Sequence, residues 1–233
     1  MTSPGRSPKF RKENIMSEAS KPYRKIAAGL LAAWFSLAVI AGGLGVFASN
    51  ALFHLPLPLG LAVMLPIIVF SVWMASSAGF RQFLLSLDSR LLTLVQTWRI
   101  AGFVFLVLAT YGILPRLFAF SAGWGDIAVG VTAPLAAGYL ARGQHRAGFI
   151  AWQLFGLADL TNAIVMGVLS SAGPIGILAH GASTAPMAVL PLSLIPTFAV
   201  PLLAILHIIC IAQASTWRQG ARRTQGIAYS TAR

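Results

Sequence analysis

Charged side chains are scarce in this sequence, and acidic ones are the scarcest. Of the 233 residues only 9% are Asp, Glu, Lys or Arg, and only 5 are acidic, whereas about 25% of the residues of a soluble domain are charged. Hydrophobic residues make up 57% of the chain. This composition cannot cover a soluble fold with a polar surface, so it excludes an ordinary soluble domain and indicates a membrane protein.

Cysteine and the common catalytic motifs are missing as well. Cys210 is the single cysteine, which excludes an intrachain disulfide. The sequence has no HExxH, GxSxG, P-loop or paired-cysteine motif. His54 and His180 are predicted outside the membrane and His145 in a cytoplasmic loop, so we expect no pair of histidines holding a transmembrane haem. We therefore predict no catalytic residue, no metal and no cofactor.

What is present is a large excess of basic residues. There are 17 Lys and Arg against 5 Asp and Glu, which gives a formal net charge of +12. These residues lie in the tails and between apolar stretches, a pattern typical of topology signals and of contact with anionic lipid headgroups. The expected partners are the lipid bilayer and, at the basic tails, anionic headgroups; nucleic acid is not expected.

Six apolar stretches are each near the roughly 20 residues that a helix needs to span a bilayer. The fold class is therefore predicted as all-α, a multi-pass bundle of six transmembrane helices within residues 26–213. Residues 1–25 and 214–233 are predicted as basic cytoplasmic tails, the first of them disordered. The predicted spans are 26–48, 57–78, 100–118, 123–140, 148–170 and 190–211.

The loops predict the orientation of these helices. If the N-terminus lies inside, every Lys and Arg except Arg116 is cytoplasmic, and Arg99 falls in the cytoplasmic connection before the third helix. This strong positive-inside bias requires an even number of crossings. Both termini are thus predicted to be cytoplasmic in a plasma membrane, which is the inner membrane if the source is bacterial.

Two features leave alternatives open. Val46-Phe47-Ala48 resembles a signal-peptidase site, and cleavage there would leave five helices, although the apolar run is longer than is usual for a signal peptide. The uncharged segment 171–189 either lies on the outer surface or enters the membrane as a re-entrant segment.

Two charged residues near the outer face form a candidate ion pair. Arg116 is predicted near the outer end of the third helix and Asp126 about one turn inside the outer end of the fourth. The connection between these helices is short, so the two residues reach similar depth. The pair has either a function or only the structural role of neutralising two costly charges.

Asp159 is the residue most expected to matter for function. It lies about 16 Å from the start of the fifth helix at Gly148, near the middle of a roughly 30 Å hydrocarbon core. We expect no basic residue at this depth and hence an uncharged Asp159, either a proton-binding group or a bond between helices. Other polar groups are predicted at the same depth as one pocket: Asn162, Thr110, Tyr111, Thr132 and the Thr197 carbonyl that Pro201 leaves free.

These residues indicate a function without identifying it. The first hypothesis is a small transporter or permease-like protein with a protonatable Asp at the membrane midplane, acting as a homo-oligomer. The rival is an intramembrane enzyme acting on a lipid or other apolar substrate through Asp126, Asp159 or His207, the last predicted one turn from the inner end of the sixth helix. A third alternative is an accessory subunit without chemistry.

Overall fold

The computed structural model describes residues 8–48, 57–142 and 145–230, with side chains for 22–48, 57–141 and 145–217. Within these ranges the regular structure is entirely helical and contains no strand, which confirms the all-α prediction. A 3-10 helix, Gln96–Gly102, joins α4 to α5, and a π-helical turn, Ile195–Ala199, precedes α8. The α-helices are α1 Pro8–Gly43, α2 Leu57–Ser76, α3 Ala78–Leu85, α4 Ser89–Val95, α5 Phe103–Thr110, α6 Arg116–Gly138, α7 Arg146–Leu169 and α8 Val200–Ser230.

Five helical stretches among the described residues are long and apolar enough to cross a membrane. They are Pro22–Gly43, Leu57–Ser76, Ser89–Thr110, Arg146–Leu169 and Ile195–Trp217. Helix α6 has 23 residues, enough for a span of about 34 Å, but it is less apolar than these five. The structure therefore confirms an all-helical fold whose described residues include five candidate membrane-spanning helices, while six crossings and their orientation stay predictions.

Four of the six predicted spans differ from the observed helices. The first, expected at 26–48, is Pro22–Gly43, and the sixth, expected at 190–211, is Ile195–Trp217. The third span was expected at 100–118 but runs over Ser89–Thr110, and the fourth was expected at 123–140 but is α6, Arg116–Gly138. The cause is Arg99, which lies in the middle of the third span instead of in the loop before it. The structure also extends helices into the predicted tails, because α1 begins at Pro8 and α8 ends at Ser230.

Helix α6 is the central helix of the bundle and packs on both the Ser89–Thr110 stretch and α7. Its inward face consists mainly of Ala and Gly, and Ala119, Ala122, Val129 and Ala133 are completely buried. A Cβ atom at Gly130 would lie 2.5 Å from the Ile100 backbone nitrogen. Only small residues allow two helix backbones to approach so closely, so the composition of α6 positions it against the segment that contains Arg99.

The segment between α7 and α8 folds back onto one end of the bundle. The Thr184 amide donates to the Ser170 carbonyl at 2.9 Å, and its hydroxyl donates to the Gly167 carbonyl at 2.8 Å. Met187 is buried in a cluster with Phe105 and Phe118. The predicted surface-lying or re-entrant segment is thus partly packed against α5 and α6, and its position relative to the lipid stays a prediction.

Candidate functional site

The chemically distinctive site is centred on the buried side chain of Arg99, which is 1% exposed. Its Nε donates to Asp126 Oδ1 at 2.7 Å, and its Nη2 pairs with Asp159 Oδ2. Its Nη1 donates to the Gly156 carbonyl at 3.1 Å and lies 3.4 Å from His207 Nε2. We call Arg99, Asp126, Asp159 and His207 the Arg99 cluster.

The local winding of the chain directs Arg99 inward. Gln96, Arg99 and Gly102 are spaced by three residues in the 3-10 helix, where positions i and i+3 lie directly above one another. All three are buried, as is Thr93 one step earlier. The segment therefore presents one polar stripe to α6, α7 and α8.

The members of the Arg99 cluster share one depth in the bundle. At about 1.5 Å per residue, Asp126 lies about 15 Å from the start of α6 at Arg116, and Asp159 lies about 15 Å from the end of α7 at Leu169. His207 lies about 15 Å from Trp217, where the apolar part of α8 ends. If these helices cross a membrane, the cluster is near its middle.

A chain of hydrogen bonds fixes the protonation of His207. The Thr93 hydroxyl donates to the Ser89 carbonyl at 2.7 Å, so it must accept from Gln153 Nε2 at 3.2 Å. This orients Gln153 Oε1 toward His207 Nδ1, with which it forms a hydrogen bond. Because an amide oxygen only accepts, Nδ1 of His207 carries the proton. Its Nε2 is then the acceptor facing Arg99, and the imidazole is neutral.

Glycines provide the space that these side chains occupy. A Cβ atom at Gly125 would overlap the Asp159 carboxylate, and one at Gly156 would overlap the His207 ring. At Gly102 a Cβ would clash with the side chain of Asp126. Each of these glycines lies on a helix that packs against the side chain concerned, so the cluster and the helix packing are formed together.

A cavity of about 500 Å³ reaches the cluster at Asp126. It lies in the half of the bundle that contains the end of α1, the end of α7 and the start of α8, and its lining is almost entirely apolar. Residues from successive elements form its wall, among them Val63, Phe105, Asp126, Leu160, Met187 and Val200. An apolar cavity with a few polar groups at one end is typical of small-molecule sites.

The polar pocket predicted around Asp159 is only partly formed. Asp159 is buried, but Thr110, Tyr111, Thr132 and Asn162 are exposed. Trp152 Nε1 donates to the Thr132 hydroxyl at 2.9 Å, so this threonine has a partner outside the cluster. The Thr197 carbonyl accepts from Trp34 Nε1 at 3.1 Å. The group that Pro201 leaves free is therefore bound by α1 and does not face Asp159.

Three further expectations need correction. Asp126 pairs with Arg99 and not with Arg116, whose guanidinium carbon lies 5.7 Å from the centre of the Phe120 ring. The reason is that α6 begins at Arg116, which places Asp126 almost three turns deeper than Arg116 on the same helix. Asp159, expected without a basic neighbour, pairs with Arg99. His207 lies about three turns, not one, from the end of the apolar stretch at Trp217.

Three residues of the site, Arg99, Gln153 and Thr93, were not predicted from the sequence. The available signal was the apolar run on both sides of Arg99, which makes Ser89–Thr110 a single stretch of sufficient length. On α7, Gln153, Gly156 and Asp159 recur at three-residue spacing and share its buried face. The sequence pattern therefore indicated that Gln153 lies on the same face of α7 as Asp159.

The fold and the site define a multi-helix membrane protein with an ion cluster buried inside the bundle. The chain belongs to the family described as "Domain of unknown function (DUF8737)", which matches residues 52–214. The matched range contains all four members of the Arg99 cluster and the cavity wall from α2 onward. No curated protein and no solved structure matches the chain.

Proposed function

We propose that the protein is a proton-coupled carrier of a small, largely apolar compound that binds in the cavity beside the Arg99 cluster. The observation that supports this proposal is the meeting of a 500 Å³ apolar cavity with a charged group, Asp126, deep in the bundle. A charge inside a membrane is costly, and where one occurs it commonly marks a substrate or proton pathway.

The charges of the cluster support proton coupling. Arg99 contributes one positive charge, Asp126 and Asp159 contribute two negative charges when both are ionised, and His207 is neutral by its hydrogen bonds. The cluster then has one negative charge in excess. Binding one proton makes it neutral, and losing that proton leaves a charge for a substrate or a conformational change to compensate.

The arrangement in the membrane is part of the proposal. We take α6 as a sixth crossing, because its 23 residues match a span and its charged residue Asp126 is paired. Six crossings leave both termini cytoplasmic, in the inner membrane if the source is bacterial, and the basic tails then contact anionic headgroups. Six helices are few for a complete pathway, so we also propose assembly as a homo-oligomer.

Flux in proteoliposomes tests the carrier. Vesicles containing the full-length protein and a pH-sensitive dye are exposed to a panel of amphiphilic cations, neutral compounds and anions. A carrier moves protons with at least one compound, and Asp159→Asn, which keeps size and hydrogen bonding but cannot titrate, abolishes that movement. Asp88→Asn is the matched control, because Asp88 is an exposed N-cap residue of α4 and Asn caps equally well. The proposal is contradicted if Asp159→Asn leaves the proton flux intact, or if none of the compounds in the panel produces proton flux.

The same cavity also supports the enzyme alternative. Its apolar wall fits an acyl chain, and Asp126 at its end could act as an acid or base on a lipid. Mass spectrometry of the vesicle lipids after incubation separates the two functions. A protein-dependent lipid product that disappears in Asp126→Asn would favour the enzyme; unchanged lipids together with flux favour the carrier. Unchanged lipids without flux favour an accessory subunit.

A further inference from the structure

We infer that the cavity binds an amphiphilic amine in its protonated form, with the apolar body against the cavity wall and the ammonium group on Asp126 Oδ2. The inference rests on the proposed function, because it names the substrate class of the same site. It adds the sign of the ligand charge and the atom that binds it.

Asp126 is the member of the cluster that a ligand can reach. Its side chain is 16% exposed, against 7% for Asp159 and 1% for Arg99, and among the described residues it is the only charged one in the cavity lining. His207 is completely buried on the other side of Arg99. A ligand in the cavity therefore meets a carboxylate, while the guanidinium lies behind that carboxylate.

One oxygen of this carboxylate is available to a ligand. Oδ1 accepts from Arg99 Nε, whereas Oδ2 accepts no hydrogen bond from any described residue. A Cβ atom at Gly102 would lie 3.0 Å from Oδ2, so a residue larger than glycine at this position would fill the space beside this oxygen. A carboxylate oxygen only accepts hydrogen bonds, so its natural partner is an N–H donor, and a charged donor forms the stronger bond.

The charge balance favours a cation over an anion. With both carboxylates ionised the cluster has one excess negative charge, which an ammonium group neutralises. An anion would meet that excess charge with little compensation, because Arg99 already binds Asp126, Asp159 and the Gly156 carbonyl and approaches His207. A proton and an ammonium group therefore compete for the same charge. When the ammonium binds to Asp126, the proton that neutralised the cluster moves to water. One cation is thus exchanged for another.

The remaining lining determines the body of the ligand. Aromatic and aliphatic side chains, including Phe105, Leu160 and Val200, form the wall. Burial of apolar area favours binding, so two aromatic rings on the amine would supply most of the affinity, and the ammonium group would supply orientation and selectivity.

Binding of three matched probes tests the inference. They are 2,2-diphenylethylamine, 2,2-diphenylethanol and diphenylacetate, which share a two-ring body and differ in carrying a cationic, neutral or anionic group. Affinity for the full-length protein in detergent is measured by calorimetry for wild type, Asp126→Asn and the control Asp88→Asn. Asp126→Asn leaves Arg99 paired with Asp159 as a neutral pair, so we expect this variant to fold; its elution as a single species checks this.

We expect the amine to bind at least about tenfold more tightly than the alcohol and the acid. This ratio of affinities corresponds to the strength of one hydrogen bond to a charged group. Asp126→Asn should remove this preference, Asp88→Asn should keep it, and lowering the pH should weaken amine binding. Equal binding of the alcohol or the acid overturns the inference, as does no binding of the amine or an unchanged preference in Asp126→Asn. A co-purified phospholipid that the amine does not displace also overturns it.

The binding measurement uses no membrane and no gradient, so its failure differs from failure of the carrier. Flux of a neutral or anionic compound without amine selectivity would keep the proposed function and reject this inference. Selective amine binding without flux in proteoliposomes would keep the site and reject the carrier.

Discussion

The Arg99 cluster makes an asymmetric prediction about stability. Arg99→Gln removes the single positive charge and leaves Asp126 and Asp159 buried without a cation. Asp126→Asn or Asp159→Asn instead leaves one Arg paired with one Asp. Breaking a buried ion pair by removing one partner costs about 3–5 kcal/mol. We expect Arg99→Gln to approach the lower end of this range, because the stranded carboxylates can take up protons, and each Asp→Asn change to cost less.

Thermal unfolding measures this difference. In a chain of this length a loss of 3 kcal/mol corresponds to a fall in Tm of roughly 6 to 12 °C, which the loss of monodisperse protein on heating resolves in detergent. The triple variant with Arg99→Gln, Asp126→Asn and Asp159→Asn provides the internal control. It contains no stranded charge, so it should melt above Arg99→Gln despite two additional changes.

An Arg99→Gln variant that is no less stable than Asp126→Asn would contradict this prediction. Simple addition of the three single effects in the triple variant would contradict it as well, because additivity would show that the groups do not interact. Lowering the pH should narrow the gap between Arg99→Gln and wild type, since protonation removes the charges that Arg99 compensates.

The remaining predictions concern packing and topology. Gly125→Ala should lower stability by about 1–3 kcal/mol, because its methyl group would overlap the Asp159 carboxylate; Gly138→Ala, on the same helix with no atom within 4 Å of the added Cβ, should be neutral or slightly stabilising by melting temperature. An equal loss in both variants would count against the packing of Asp159 on α6. Reporter fusions after residues 25, 90, 144 and 220 should read cytoplasmic, and those near 53 and 180 external. An external signal at 144 would show that α6 does not cross the membrane.

The sequence predicted the fold best where apolar residues run without interruption. The predicted spans at 57–78 and 148–170 agree with α2 and α7 to within two residues at each end, because hydrophobic length alone determines them. It predicted least well where one charge interrupts such a run. From the sequence alone, a single arginine in a loop cannot be distinguished from one inside a span. Arg99 is identified as part of a span only by its partners Asp126 and Asp159, which are 27 and 60 residues away in the chain.

In the candidate site, the depth of a residue could be predicted from the sequence, but its partner could not. The position of Asp159 along its helix was sufficient to place it deep in the bundle, since depth follows from 1.5 Å of rise per residue. Its partner could not be obtained in this way, because pairing depends on which helix faces which. Glycines at positions 125 and 156 contain that information, but their meaning appears only when the neighbouring side chains are in place.

The 3-10 helix Gln96–Gly102 also determines how α5 is rotated relative to α4 about the axis of the span Ser89–Thr110. It turns about 120° per residue, compared with about 100° in an α-helix. Over its seven residues the difference accumulates to about 140°. If it rewound to α-helix, α5 would turn by that angle relative to α4, and Phe105 would leave the cavity wall. The span also rises about 0.5 Å more per residue here, so rewinding would shorten it by about 3.5 Å. Any rewinding of these seven residues around Arg99 would therefore change the rotation and the length of this span together.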